Sequence, residues 1–197
     1  MNKAETKNIL VYIEVADAAP VKVSLESLAQ ANRMADEKGE KVIAAVIGQN
    51  IGDAAKEAAA AGADKVITVD DAAFADFNLD VTADVMMQII EKEKPEAVFV
   101  GGTQDGKDLA PKLGAKCATG CASDVVGMKL DEQGNIDFTC PLYSGTVLED
   151  VVIAEARPQI ATLRSGAFKK LEEAGQGEVV SESFTVADDA VKAKITE

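Results

Sequence analysis

Three clusters in the 197-residue sequence carry residue types that could do chemistry. The first is Gly101-Gly102-Thr103-Gln104-Asp105-Gly106-Lys107-Asp108, a glycine-rich turn after an apolar run. Backbone N–H groups where such a loop opens a helix can cradle a phosphate. The segment is neither a G-x-G-x-x-G fingerprint nor a Walker A sequence. Asp105 and Asp108 already complement the positive helix end, so a tight turn with an acidic helix cap competes with the phosphate reading. The second cluster is residues 156–170, which hold Arg157, Arg164, Lys169 and Lys170 and no acid, a local +4 in a chain of net charge −14. Guanidinium groups at strand ends suit carboxylate or phosphate. The same cluster would also serve as a solvated face or satisfy internal acids. The third is Gly120-Cys121-Ala122-Ser123-Asp124, where Asp124 opens an apolar run. An internal Arg–Asp pair is the plainer reading of that aspartate.

Much other chemistry is excluded. With no histidine there is no Ser-His-Asp or Cys-His pair and no histidine-containing metal site. Paired carboxylates for glycoside hydrolysis and a serine with its base are not recognisable. The three cysteines, Cys117, Cys121 and Cys140, lack C-x-x-C spacing. Cys117 and Cys121 would share a face of one helix, and all three read as buried, inert thiols. A charge of −14 predicts no sequence-independent hold on nucleic acid or an anionic membrane. The longest apolar runs, about six residues, fall far short of the ~20 that span a bilayer. Residues 1–8 are polar, so no secretion signal is expected. With an odd cysteine count this predicts a reducing, cytoplasmic setting.

The elements that must position these clusters alternate over the first hundred residues. Apolar runs at 9–15, 41–47, 65–69 and 97–100 read as buried strands. Between them lie helical patterns: one from Ser24 as N-cap to Gly39 as stop, an alanine-rich one over 53–61 ended by Gly62, and one over 82–94 ended by Pro95. Continuously apolar strands alternating with helices predict an α/β fold, a mainly parallel sheet with helices on both faces. Ligand sites in such sheets lie beyond the carboxyl ends of the strands. After about Gly120 the pattern changes. Val126, Met128 and Leu130, then Ile136, Phe138 and Cys140, alternate around a turn signal at 131–135. Residues 125–163 therefore read as antiparallel strands, added to the parallel sheet or forming a small subdomain. Residues 168–177 read as a charged connection, 179–186 as a last strand, and 191–195 as strand-like without a partner. One domain over 1–187 is expected, its parallel part about 8–120 and its antiparallel additions about 122–186, with 188–197 as the start of a linker.

The run from Phe99 to Leu113 resembles the G-x-x-x-x-G-[RK]-D-L-A-P segment of the electron-transfer flavoprotein α subunit. Two further stretches agree in order and spacing. Residues Thr119 to Asp124 resemble the family's T-G-x-x-[AS]-D, and Arg157 to Gly166 its R-P-[QK]-x-A-T-[VL]-R-x-G. Tyr143-Ser144-Gly145 corresponds to the aromatic–glycine step ahead of the last motif, and residues 8–14 fit the opening strand.

The likeness covers nearly all of this chain but only part of the family protein, whose α subunit continues into a second domain holding FAD. The resemblance implies an amino-terminal fragment, with FAD bound mainly by sequence outside these residues and no flavin held tightly within them. It implies a fold like the adenine-nucleotide hydrolases, no independent catalytic activity, docking to the family's β subunit, and a dehydrogenase partner met through the full complex. On the same footing Asp124, Tyr143, Arg157 and Arg164 are the expected partner- or flavin-facing residues. Gly101, Gly102, Thr103 and Gly106 remain loop candidates for a nucleotide. The alternative is a stand-alone adenine-nucleotide-binding protein resembling universal stress proteins, with the nucleotide on the glycine-rich loop.

Overall fold

A computed structural model describes residues 1–171 and 175–184. The chain runs β1 (Ile9–Ile13), a short hairpin of β2 (Val15–Ala16) and β3 (Ala19–Pro20), α1 (Lys22–Lys38), β4 (Val42–Gly48), α2 (Gly52–Ala60), β5 (Lys65–Asp70), α3 (Leu79–Glu93), β6 (Ala97–Gly101) and α4 (Gln104–Cys117). It continues through β7 (Cys121–Val125), β8 (Gly127–Leu130), β9 (Ile136–Leu142), β10 (Val147–Val152), β11 (Gln159–Leu163) and β12 (Glu178–Ser181). Seven strands form one parallel sheet in the order β12-β5-β4-β1-β6-β11-β7, and β10-β9-β8 form a separate antiparallel sheet.

The central strands are apolar throughout because helices cover both faces. Side chains alternate between them along a strand. Ile9, Val11 and Ile13 of β1 point into the core under α1 and α2, while Leu10 and Tyr12 point into the core under α3 and α4. The antiparallel sheet extends the first of these cores through Met128, Ile136, Phe138 and Cys140. Phe138 meets Phe99 of β6 edge to face, ring centres 6.2 Å apart.

The structure corrects several expectations. The region 125–163 is not wholly antiparallel, because β11 returns to the main sheet and lies parallel between β6 and β7. Strand β12 is also parallel, against β5. The parallel sheet therefore extends past residue 120 and takes strands from both halves. Ser24 is not a cap: α1 begins two residues earlier, and the Ser24 hydroxyl, fully buried, accepts the Glu14 N–H at 3.1 Å. Cys117 and Cys121 share no helix face, since one ends α4 and the other opens β7. Cys140 is buried while Cys117 and Cys121 are only half-buried. Burial raises all three thiols, Cys121 to about 11, so they are poor nucleophiles at neutral pH. The expected strand-like stretch 191–195, and the end of that at 179–186, lie outside the described residues.

Candidate functional site

The glycine-rich loop joins β6 to α4, at the carboxyl end of the sheet. Its glycines serve close approach of backbone to backbone. A Cβ on Gly106 would lie 1.9 Å from the Gly101 carbonyl oxygen, and one on Gly102 2.7 Å from the Leu163 carbonyl oxygen. The Gly102 N–H donates to that Leu163 oxygen at 2.7 Å, fastening the loop to β11. A Cβ on Gly101 would meet Val23 of α1 at 2.7 Å. The helix is capped by Thr103, not by an aspartate. Its hydroxyl accepts the Gly106 N–H at 2.9 Å and donates to Glu14 Oε2 at 2.5 Å.

Beside this loop, at the carboxyl ends of β1 and β4, lies a cleft of about 140 Å³ lined by Tyr12, Glu14, Asp17, Gln49, Asp76 and Asp105 among others. Burial raises the Glu14 carboxyl, against the pull of the Thr103 hydroxyl, with Asp105 raising it further. Asp105 is raised by burial and by Asp108. Burial, with Glu14 and Asp105, raises the Tyr12 phenol above its ordinary range, so it stays protonated. Sequence reasoning missed this cleft. Its signal was the run of acids at strand and helix ends, Glu14 and Asp105 above all.

The four candidate contact residues separate into three environments. Arg164 follows β11 and pairs with Asp124 at the end of β7. Its Nε donates to Asp124 Oδ1 at 2.9 Å and its Nη2 to Oδ2. Both side chains are partly exposed. The Arg164 hydrogen bond lowers the Asp124 carboxyl. Asp124 adopts a left-handed φ of 61°, and its own N–H donates to Thr162 Oγ1 at 2.9 Å. The pair is a two-pronged ionic latch across the β7–β11 edge.

Tyr143 sits at the tip between β9 and β10 and is 81% exposed. Tyr143, Ser144 and Gly145 all have positive φ, 49°, 58° and 86°. Left-handed backbone costs a non-glycine residue about 1–2 kcal/mol, so this tip is held in a costly shape that turns the phenol outward. Leu142, Val147, Leu148 and Val152 are exposed along the same hairpin.

Arg157 has the opposite environment. It is 0% exposed, at the amino end of β11. Its Nη1 donates to the carbonyls of Ile153, Ala154 and Ala156 at 3.0, 3.2 and 2.9 Å. Its Nη2 donates to Asn135 Oδ1 at 2.7 Å and lies 3.6 Å from Glu96 Oε1. Lys38 bridges Glu96 and the Gly134 carbonyl, and Lys3 donates to the same Asn135 oxygen at 2.6 Å. Two residues on, the Gln159 amide pairs with Ile136 in both directions, accepting at 3.0 Å and donating at 2.9 Å as a strand would. Arg157 and Gln159 therefore join the antiparallel sheet to the parallel one.

Among the described residues no group of three metal-ligating side chains could hold a metal ion, and no helix is long and apolar enough to cross a membrane.

Seven parallel strands flanked by helices, with a small antiparallel sheet packed beside them, define an α/β domain. Residues 9–189 match the electron transfer flavoprotein domain family, and the chain belongs to it. Over 172 residues it is 36% identical to the electron transfer flavoprotein subunit alpha of Clostridium acetobutylicum, covering 87% of this chain and 51% of that protein. It is 39% identical over 159 residues to the subunit alpha of Bacillus subtilis, covering 80% of this chain and 47% of that protein. It is 30% identical over 168 residues to the lactate dehydrogenase (NAD(+),ferredoxin) subunit LctC of Acetobacterium woodii, covering 85% and 40%. The chain thus spans about half the length of the curated relatives it matches. The family supports the flavoprotein reading over the stress-protein one.

Proposed function

We propose that this chain acts as the amino-terminal domain of an electron-transfer flavoprotein α subunit. In that role it is a scaffold on which the β subunit docks, while FAD is held chiefly by sequence outside these residues. Flavin-based electron transfer from a dehydrogenase to an acceptor is then a property of the whole complex, and the domain alone catalyses nothing. The observation that carries this reading is the hairpin from Leu142 to Leu148, whose apolar side chains stand in water around an outward Tyr143. Burying a Leu or Val side chain stabilises by about 1.5–3 kcal/mol, and exposed tyrosines are frequent anchors of interfaces. The Asp124–Arg164 latch is the second contact in this scheme, setting register and local charge toward the β subunit or its flavin.

The test is to mix the chain with the β subunit of the same organism and measure the mass by light scattering. A one-to-one complex is expected, weakened at least tenfold by Tyr143→Asp with Leu148→Asp, since each loses an anchor worth about 1 kcal/mol or more. A chain that stays monomeric beside its β subunit would sink the proposal. So would purified chain that emerges yellow, with stoichiometric flavin.

A further inference from the structure

The internal role of Arg157 leaves one of its donors unused. The side chain is fully buried, and the contacts described above are all made by its two Nη atoms. Its Nε has no hydrogen-bond partner among the described residues. The Glu96 carboxylate lies 3.6 Å from Nη2 and is already held by Lys38 at 2.9 Å. A buried donor on a charged group is costly to leave unpaired, and in a native protein it points to a bound ligand or water. Arg157 also lines a cavity of about 200 Å³ at the last turns of α3 and α4. Ile90 and Arg157 are its deepest residues, both 0% exposed. Met87 and Cys117 form half-buried walls, and Met1, Glu91 and Lys116 stand exposed at the mouth.

The lining narrows the choice of ligand. A buried water needs about two to four polar partners, and Met87 and Ile90 supply none. The Cys117 thiol is turned to the Met87 sulphur at 3.5 Å. A cation is repelled by the guanidinium. A phosphate needs several donors, and at the mouth Lys116 is already paired with Asp84 while Glu91 opposes a second negative charge. What fits is one singly charged acceptor group on an apolar tail. A volume of 200 Å³ holds roughly six or seven heavy atoms at ~30 Å³ each. We propose that this cavity binds a short-chain monocarboxylate, its carboxylate accepting the Arg157 Nε–H and its alkyl chain lying along Met87 and Ile90. The site rests on no part of the docking reading, and either can fail without the other.

The experiment is a titration of the whole chain with pentanoate, followed through the arginine Nε–H signals by NMR. The chain has three arginines, Arg33, Arg157 and Arg164, so Arg33→Lys and Arg164→Lys assign the third signal. A saturable shift of the Arg157 signal is expected. Pentanol, which keeps the tail and loses the charge, should bind about tenfold more weakly, the effect of a lost charged hydrogen bond. Met87→Trp fills the cavity from α3 without touching the donors of Arg157, and should also weaken pentanoate about tenfold. Its melting temperature reports whether it is folded, and Cys117→Phe, which fills the cavity from α4, replaces it where it is not. No saturable shift at Arg157, a shift at Arg164 alone, pentanol binding as tightly as pentanoate, or undiminished affinity in the filled variant would each overturn the proposal.

Discussion

The two ends of β11 carry the same side chain in opposite circumstances. Arg157 enters the strand and Arg164 leaves it, roughly 20 Å further on at strand rise. At the amino end the arginine is enclosed by three carbonyls, Asn135 and Glu96. At the carboxyl end it reaches across one strand to a single aspartate and stays in water. The difference lies in what each end has to join. The amino end must hold a second sheet against the first, and a planar group with five donors can satisfy several loose carbonyls at once. The carboxyl end faces the side where such domains meet ligands and partners. Identical charge thus acts as an internal bolt in one place and an adjustable surface contact in the other.

The largest effect should come from Arg157→Ala, which takes the side-chain donor from three carbonyls and one of two cationic partners from each of Asn135 and Glu96. Losing one member of a buried ionic network costs about 3–5 kcal/mol. Urea denaturation should show that loss, and Arg157→Lys should recover only part of it. Destabilisation no greater than that of Arg164→Ala would erase the contrast between the ends.

Gly106→Ala comes next. A methyl 1.9 Å from the Gly101 oxygen forces backbone to move at the carboxyl end of β6, for about 2–3 kcal/mol by the same assay. A neutral result would mean that the loop has slack.

Arg164→Ala should cost less than about 1 kcal/mol, as exposed pairs do, while reducing β-subunit affinity if the latch faces that partner.

The smallest effect is a pH dependence whose sign differs between sites. Asp124 is held below its ordinary 3.8, so its contribution is present above that pH and lost as pH falls through the lower folded value. Glu14 is raised above 4.5, so its contribution is full below that pH and lost as pH rises through the folded value. Melting curves across this range should flatten in opposite senses for Asp124→Asn and Glu14→Gln.

Local pattern made much of this visible beforehand. Strands β1, β4, β5 and β6 were legible as unbroken apolar runs, because both faces of a covered parallel sheet demand them. The hairpin β8–β9 was legible from alternation around the turn at Asp131. Strand direction was not, because Gln159-Ile160-Ala161-Thr162-Leu163 reads alike either way and its neighbours are set by distant segments. Ser24 misled because serine favours caps, whereas here its hydroxyl serves the end of β1. The position of Arg157 was hidden for a similar reason. A cation among cations suggests surface, and nothing in its own segment says that Glu96, Asn135 and the Gly134 carbonyl converge around it. The acidic cleft draws on three separate stretches, so no single motif announces it.

The strand order has a consequence during synthesis. β11 is made after both strands it separates, so a growing polypeptide short of Leu163 presents β6 with a bare flank and leaves β7 without a neighbour. Unpaired flanks of this sort recruit stray strands from other molecules. Nascent chains halted before that residue should therefore need a chaperone more than those released just beyond it.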